Sequence, residues 1–410
     1  MPSPSRAVLD QAVRADAPAT SAAQAPSKPP RPETFSARLL DGLDDPRLAA
    51  ASDETRNVFQ SKAFLAAIGR HIVDEGSRLV LVEATDSAGQ LVAVFPFVKR
   101  RRLGIPVIEG LDFGVTDFFA PTCLRDAPLS AEETRRLWQA VIGAVPGVHA
   151  VTFMKMPRLL HGRLHALSGA DFVLPMHATA TTLFMRDEQG APTVRPDKMS
   201  LAREVRRKSK KLEQIGPLSF AEATSKAETD AAMETLVAFR TARFSELGRD
   251  DALLDPDVVA FYRSLADRDQ EDPPGRLFVL RAGDEVAAVI YGFVFGDAFT
   301  LIAPAITPSR LLQVGSPGLV ILFKALEWSV ARNFRVFDLS VGSLSYKSRF
   351  EAETVELFEY QRSLSPLGLP VVAEFRLRRW LRRLALSHPQ LRTTLERLAG
   401  MLKGSRNPGS

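Results

Sequence analysis

The stretch FDLSVGSLSYKSRF, residues 337–350, gathers side chains that can move protons and hold anions. An apolar run ends on Asp338, Gly342 follows, and Tyr346, Lys347 and Arg349 crowd into one turn. A carboxylate can accept a proton, a phenol can donate one, and two cations can stabilise negative charge. Read one at a time, each also has a structural role open to it: Asp338 as a turn cap, Tyr346 as a half-buried aromatic, Lys347 and Arg349 as surface charges. Their clustering beside a strand end is the signal.

The elements that must position this cluster lie just upstream. RVFDLS (335–340) reads as a buried strand, and TLIAPAI (300–306) as a second strand carrying Pro304. Proline gives no hydrogen to a ladder, so that strand should be bulged or lie at an edge. Between them, Gly315-Ser316-Pro317-Gly318 opens an amphipathic helix with apolar positions 319, 322, 323, 326 and 330. Ser316 suits the N-cap and Pro317 the first helical position. A glycine-flanked helix start has outward amides and a favourable dipole for an anion. The run is neither a P-loop nor a GxGxxG turn, and read alone it also fits an ordinary capped helix.

The chain divides into two similar halves. RLVLVEATDSAGQLVAVFPFV (78–98) and RLFVLRAGDEVAAVIYGFVFG (276–296) both read as hairpins, each preceded by a helical stretch, at 58–72 and 256–268. A helix and a strand follow each hairpin: 131–145 and 149–156 in the first half, 318–333 and 335–340 in the second. This order predicts a duplicated α/β unit. The expected organisation is a disordered tail over 1–34, a degenerate first unit over 35–197 and a basic linker helix over 198–216. An acyl-donor-binding unit over 217–368 and a basic amphipathic helical tail over 369–410 complete it. In the linker, Ser200 is the expected cap and Gly216-Pro217 the stop.

The segments VFQSKAFL, LVAVFPFVKRR, DFGVTDFFAP (112–121), REVRRKSKKLEQIG, SPGLVIL and FDLSVGSLSYKSRF, in that order, resemble the GNAT acyltransferase fold. More closely, they resemble its BioF2-like or CelD-like branch, related to the FemAB peptidyl transferases. The resemblance covers roughly residues 50–365. It implies tandem GNAT-like domains, each a mixed, mostly antiparallel sheet flanked by helices, with acetyl-CoA or another acyl-CoA as co-substrate and no tightly bound cofactor. It further implies that Asp338 takes the amine proton, Tyr346 protonates the departing thiolate, and Lys347 stabilises the oxyanion or a donor phosphate. Gln313, Gly315, Ser316, Gly318 and Arg349 would hold the donor. One departure stands out: the family's Arg/Gln-x-x-Gly-x-Gly/Ala signature is replaced here by Gln313-Val-Gly-Ser-Pro-Gly. The first half lacks a comparable set; Asp112 and Asp117, either side of Gly114, are its candidate acceptor contacts, with turn hydrogen bonds as their plainer role.

Composition narrows the function classes. Of 410 residues, 45% are hydrophobic and 25% charged, which fits a soluble globular chain of two or three domains. No apolar run approaches the roughly 18 to 20 residues of a membrane span, and the N-terminus lacks a signal-peptide core. One cysteine, Cys123, excludes an intrachain disulfide and fits a reducing compartment. It has no evident activating base. His161 and His165 lie four apart but have no third ligand nearby, so no metal is expected. The net charge is +5, with basic clusters at 201–216 and 374–383. The tail from Val371 to Leu402 reads as a helix whose Leu377, Trp380, Leu381 and Leu384 form a stripe beside arginines, able to pack on the second unit or to lie on an anionic membrane through 371–404.

Together with this composition, the resemblance implies a cytoplasmic acyl-CoA-dependent N-acyltransferase, able to sit peripherally at the inner face of a membrane. Its acceptor would be an amino sugar or a cell-envelope or exopolysaccharide precursor. Two alternatives stand beside it. One is a FemAB-like aminoacyltransferase, in which case aminoacyl-tRNA is the donor and 201–216 touches RNA. The other is an inactive, membrane-associated scaffold subunit of a polysaccharide-synthesis system.

Overall fold

The computed structural model describes residues 33–387, except 56, 126, 249, 250 and 343–345. The tail expected to be disordered falls outside this range up to residue 32, as does the C-terminal segment beyond 387.

The first half contains strands β1 (Ser36–Leu39), β2 (Arg78–Thr85), β3 (Leu91–Arg102), β4 (Ile105–Gly110), β5 (Ala150–Pro157) and β6 (Leu174–Phe184). Its helices are α1 (Pro46–Glu54), α2 (Lys62–His71) and α3 (Ala131–Gly143). The basic helix α4 (Ala202–Glu213) leads into the second half. There the strands are β7 (Leu218–Glu222), β8 (Gly275–Ala282), β9 (Glu285–Phe295), β10 (Ala298–Ile306), β11 (Val336–Val341) and β12 (Glu353–Ser363). Helices α5 (Lys226–Leu247), α6 (Pro256–Leu265), the one-turn α7 (Arg310–Gln313) and α8 (Pro317–Ala331) accompany them, and α9 (Leu369–Ser387) closes the described chain.

The two halves fuse into one 12-stranded sheet in the order β1-β2-β3-β4-β5-β12-β6-β11-β10-β9-β8-β7. Each half sends its last strand across the middle. β6 pairs with β11 of the second half, and β12 pairs with β5 of the first. Two pairs are parallel, β4 with β5 and β10 with β11, and helices α3 and α8 provide their crossovers. The rest of the sheet is antiparallel, as hairpin connections dictate. Helices α2 and α6 occupy equivalent places and meet each other, with Phe64 edge-on to Phe261 at 5.2 Å. Phe59, Phe118 and Phe293 extend this core between the halves.

Local signals account for several elements. Ser130 and Glu133 form a reciprocal capping box on α3, as do Ser225 and Glu228 on α5. β10 is bulged between Leu301 and Ala303, just before Pro304. Two expectations are corrected. Ser200 does not cap α4; its backbone N–H and hydroxyl both donate to Glu351 Oε1, at 3.0 and 2.7 Å. Ser316 precedes α8 in the left-handed conformation (φ 48°) and makes no side-chain capping bond. α8 is also buried well beyond its expected stripe, from Val320 through Phe323 and at Ala325, Leu326 and Ser329, because α4 covers the face turned away from the sheet.

Candidate active site

Strands β10 and β11 pair only through Ala298–Thr300 and Val336–Asp338, then separate. Asp338 stands at this parting and is fully buried. Its Oδ1 accepts the backbone N–H of Ser340 at 2.6 Å, an Asx turn that forms the β11 bulge and leaves Ser340 at φ 65°. His161 Nε2 lies 2.8 Å from Oδ2. His161 arrives on a tight turn: Leu160 and Arg163 exchange both backbone hydrogen bonds, and the two residues between them have φ 53° and 76°. That left-handed pair is the reason for glycine at 162. Arg335 Nη1 fixes the turn by donating to the His161 carbonyl at 2.9 Å.

The first half supplies the other side of the site. The Ser340 hydroxyl donates to Asp117 Oδ2. Lys155, on β5 at φ 58°, donates to Asp112 Oδ1 at 2.6 Å and to the Thr116 carbonyl at 2.7 Å. Its ammonium also stands 3.9 Å from Asp117 Oδ1. Lys347 is 4% exposed and donates to the carbonyls of Ser340 and Val341, both at 3.0 Å. Asp112, Asp117, Asp338 and Lys347, separated by up to 235 positions in the chain, thus share one network.

The electrostatics assign different tasks to these groups. Burial pushes the Asp117 carboxyl up from its ordinary range, and the Asp338 charge adds to this against the pull of Lys155, Ser340 and Lys347. Asp117 still keeps 25% of its side chain accessible. Burial lowers Lys347, opposed by Asp338 and Asp117. Tyr346 is pushed up to about 12 by burial. Asp338, expected to take the substrate proton itself, has both oxygens engaged and no accessible surface.

The expected donor residues are arranged differently from one another. Gln313 Nε2 donates to the Thr307 carbonyl at 3.0 Å, closing the loop before α8. A Cβ on Gly315 would lie 2.4 Å from Leu212 Cγ of α4, and one on Gly318 would lie 2.6 Å from Ile306 Cδ1. Gly315 is therefore required by packing against the buried Leu212, whereas the exposed end of Ile306 could give way at Gly318. The amides of Leu319 and Val320 bond to the Ser316 carbonyl, so the amide cradle is narrower than the sequence suggests. Arg349 is exposed and pairs with Glu204 of α4.

His161, Lys155 and Ser340 are the members that sequence reasoning missed. The His161-Gly162 dipeptide, a turn signal, is the clue that was legible. His165, four residues on, donates from Nε2 to the Pro157 carbonyl at 2.8 Å and accepts the Leu167 N–H at Nδ1, and burial holds it neutral with its pKa lowered to about 4. Burial raises the Cys123 thiol, consistent with an inert side chain. Among the described residues no group of three or more His, Cys, Asp or Glu side chains is placed to hold a metal, and no helix is long and apolar enough to cross a membrane.

Comparison with known proteins bears on this geometry. Residues 199–348 match the family model described as Acetyltransferase (GNAT) domain. The crystal structure of FemX aligns with a TM-score of 0.51 at 9% identity, covering 79% of this chain and 97% of FemX. The C-terminal DUF2156 domain of a putative lysylphosphatidylglycerol synthetase from Agrobacterium fabrum aligns at 0.48 and 12% identity, covering 80% and 94%. A tandem GNAT protein from the clavulanic acid biosynthesis pathway aligns at 0.41 and 10%, covering 81% and 99%. No protein with a curated description matches the sequence significantly. At 9% identity the likeness to FemX speaks to fold alone. The match over residues 199–348 supports a transferase enzyme built on a GNAT-like fold.

Proposed function

We propose that this protein is an acyl-CoA-dependent N-acyltransferase that transfers its acyl group directly to an amine of an amino sugar or a cell-envelope precursor. The observation that carries this reading is Asp117, a carboxylate with a raised pKa and an accessible edge, held by Ser340 where β10 and β11 separate. A carboxylate moved toward neutrality is suited to accept an amine proton at physiological pH. In this mechanism the acyl thioester lies in the gap after Asp338, and the amine approaches from the Asp117 side. The amine nitrogen bonds to the acyl carbon while its proton passes to Asp117. The C–S bond then breaks, and the thiolate takes a proton.

Lys347 stands beside the bulge with its pKa lowered by burial, which favours giving up a proton, and its charge offsets an oxyanion. Tyr346 stays protonated at neutral pH and is the second candidate donor to the thiolate. His161 acts through Asp338, as a positioning residue. Peripheral attachment to an anionic membrane through α9 belongs to the same reading. Leu377 and Trp380 are each 56% exposed, while Val371 and Val372 anchor the helix on Val107 and Ala150.

The test is release of free thiol from acetyl-CoA and longer acyl-CoAs in the presence of a panel of amino sugars. Transfer to at least one amine is expected. Binding of no acyl-CoA at all would overturn the proposal.

A further inference from the structure

We propose that the flank of α4 formed by Arg207, Lys208 and Lys211 binds the 3′-phosphate of the coenzyme A donor. The inference rests on the acyl-CoA reading and adds a subsite to it. α4 lies in front of the GNAT domain's first strand and is docked on the loop that opens α8. Leu212 fills the space beside Gly315, and Lys208 Nζ reaches the Val314 carbonyl at 3.4 Å.

The direction of the flank follows from helical spacing. At 3.6 residues per turn, Glu204, Lys208 and Lys211 form one ridge. Glu204 is paired with Arg349 and Lys208 points to Val314, so this ridge faces the donor loop. Arg207 borders it. Arg203, Arg206 and Lys210 form a ridge on the other flank, all exposed. Val205 and Leu212 are buried between the two.

The charge on the ridge is not spent inside the protein. Its one carboxylate, Glu204, is neutralised by Arg349, and among the described residues none of Arg207, Lys208 and Lys211 forms an ion pair. The 3.4 Å contact with one carbonyl leaves the other Lys208 protons available. A second phosphate cradle is also what the donor loop calls for, because Ser316 already takes up the amides of Leu319 and Val320. Along the axis Lys211 lies one residue and Lys208 four residues from Leu212, roughly 1.5 and 6 Å at 1.5 Å per residue. Lys208 therefore stands beside the loop that opens α8, with Lys211 next along the same ridge.

Calorimetric titration with acetyl-CoA and with 3′-dephospho-acetyl-CoA tests the assignment. The wild type should bind acetyl-CoA at least about tenfold tighter than the dephospho form, the scale of one charge-assisted phosphate contact. Lys208→Glu/Lys211→Glu, and the gentler Lys208→Gln/Lys211→Gln, should lose that difference. Arg203→Glu/Arg206→Glu should keep it. Equal binding of the two ligands by the wild type would overturn this inference while leaving the acyl-CoA reading standing, as would a difference that survives in Lys208→Gln/Lys211→Gln. If the wild type binds neither ligand but binds tRNA with a steep salt dependence, both readings fail together.

Discussion

In the first half β4 and β5 part after Glu109 and Thr152, and the stacked rings of Phe119 and Phe153, 5.0 Å apart, lie beside the parting. In the second half β10 and β11 part after Thr300 and Asp338, and a network of carboxylates, lysine and histidine gathers there. The topology is the same in both, and one loop contributes to both gaps. Segment 112–121 brings Phe119 against Gly110, where a Cβ would stand 3.1 Å from its ring, and Phe119 N–H bonds to the Lys155 carbonyl at 3.1 Å. Two residues earlier, the same loop delivers Asp117 to Ser340. Closing one gap and equipping the other are thus a single structural act. The loop that fills the first gap with aromatic rings also lines the second.

The largest effect expected on breaking this arrangement comes from Asp117→Asn. Loss of the proton acceptor should lower kcat/KM by about 10²–10⁴-fold, measured by thiol release, with donor binding little changed. Phe119→Ala attacks the other gap. It should cost about 3–5 kcal/mol of stability in urea unfolding, the usual range for a buried phenylalanine, because Phe97 and Phe153 lose their partner. A loss below 1 kcal/mol would show that the first gap does not depend on its aromatic filling.

The smallest effect sharpens the electrostatic side. Asp117 has a folded-state pKa above its unfolded value, so the folded state binds more protons between those two values. Stability from this group is therefore full below the ordinary carboxyl range and falls as pH rises through the raised pKa. Asp117→Asn removes that slope. Its melting temperature at neutral pH should equal or exceed that of the wild type, whereas a clear drop would show that Asp117 is a stabilising ion-pair partner.

Much of the scaffold was legible in the sequence because its signals are local. The hairpins alternate, and Pro304 marks a bulge. The exchange of β6 and β12 across the midline was not legible, since pairing partners so distant leave no local trace. The same holds within the site. Lys347, Asp338, Asp112 and Asp117 were visible as charged residues beside strand ends or glycines. Nothing local says that Asp338 would be sealed by His161 or that Asp117 would face Ser340. Ser316 misled for a related reason: its type suits a cap, but docking of Leu212 on Gly315 sets the backbone there.

The central claim is that the second gap alone takes the acyl donor, and the stoichiometry of acetyl-CoA binding tests it most directly. Calorimetry on the wild type should give one site per chain. Ser316→Asp, which keeps a side chain tolerant of the left-handed conformation while placing a negative charge at the α8 start, should abolish that binding. Two sites per chain, or one site indifferent to Ser316→Asp, would contradict the account.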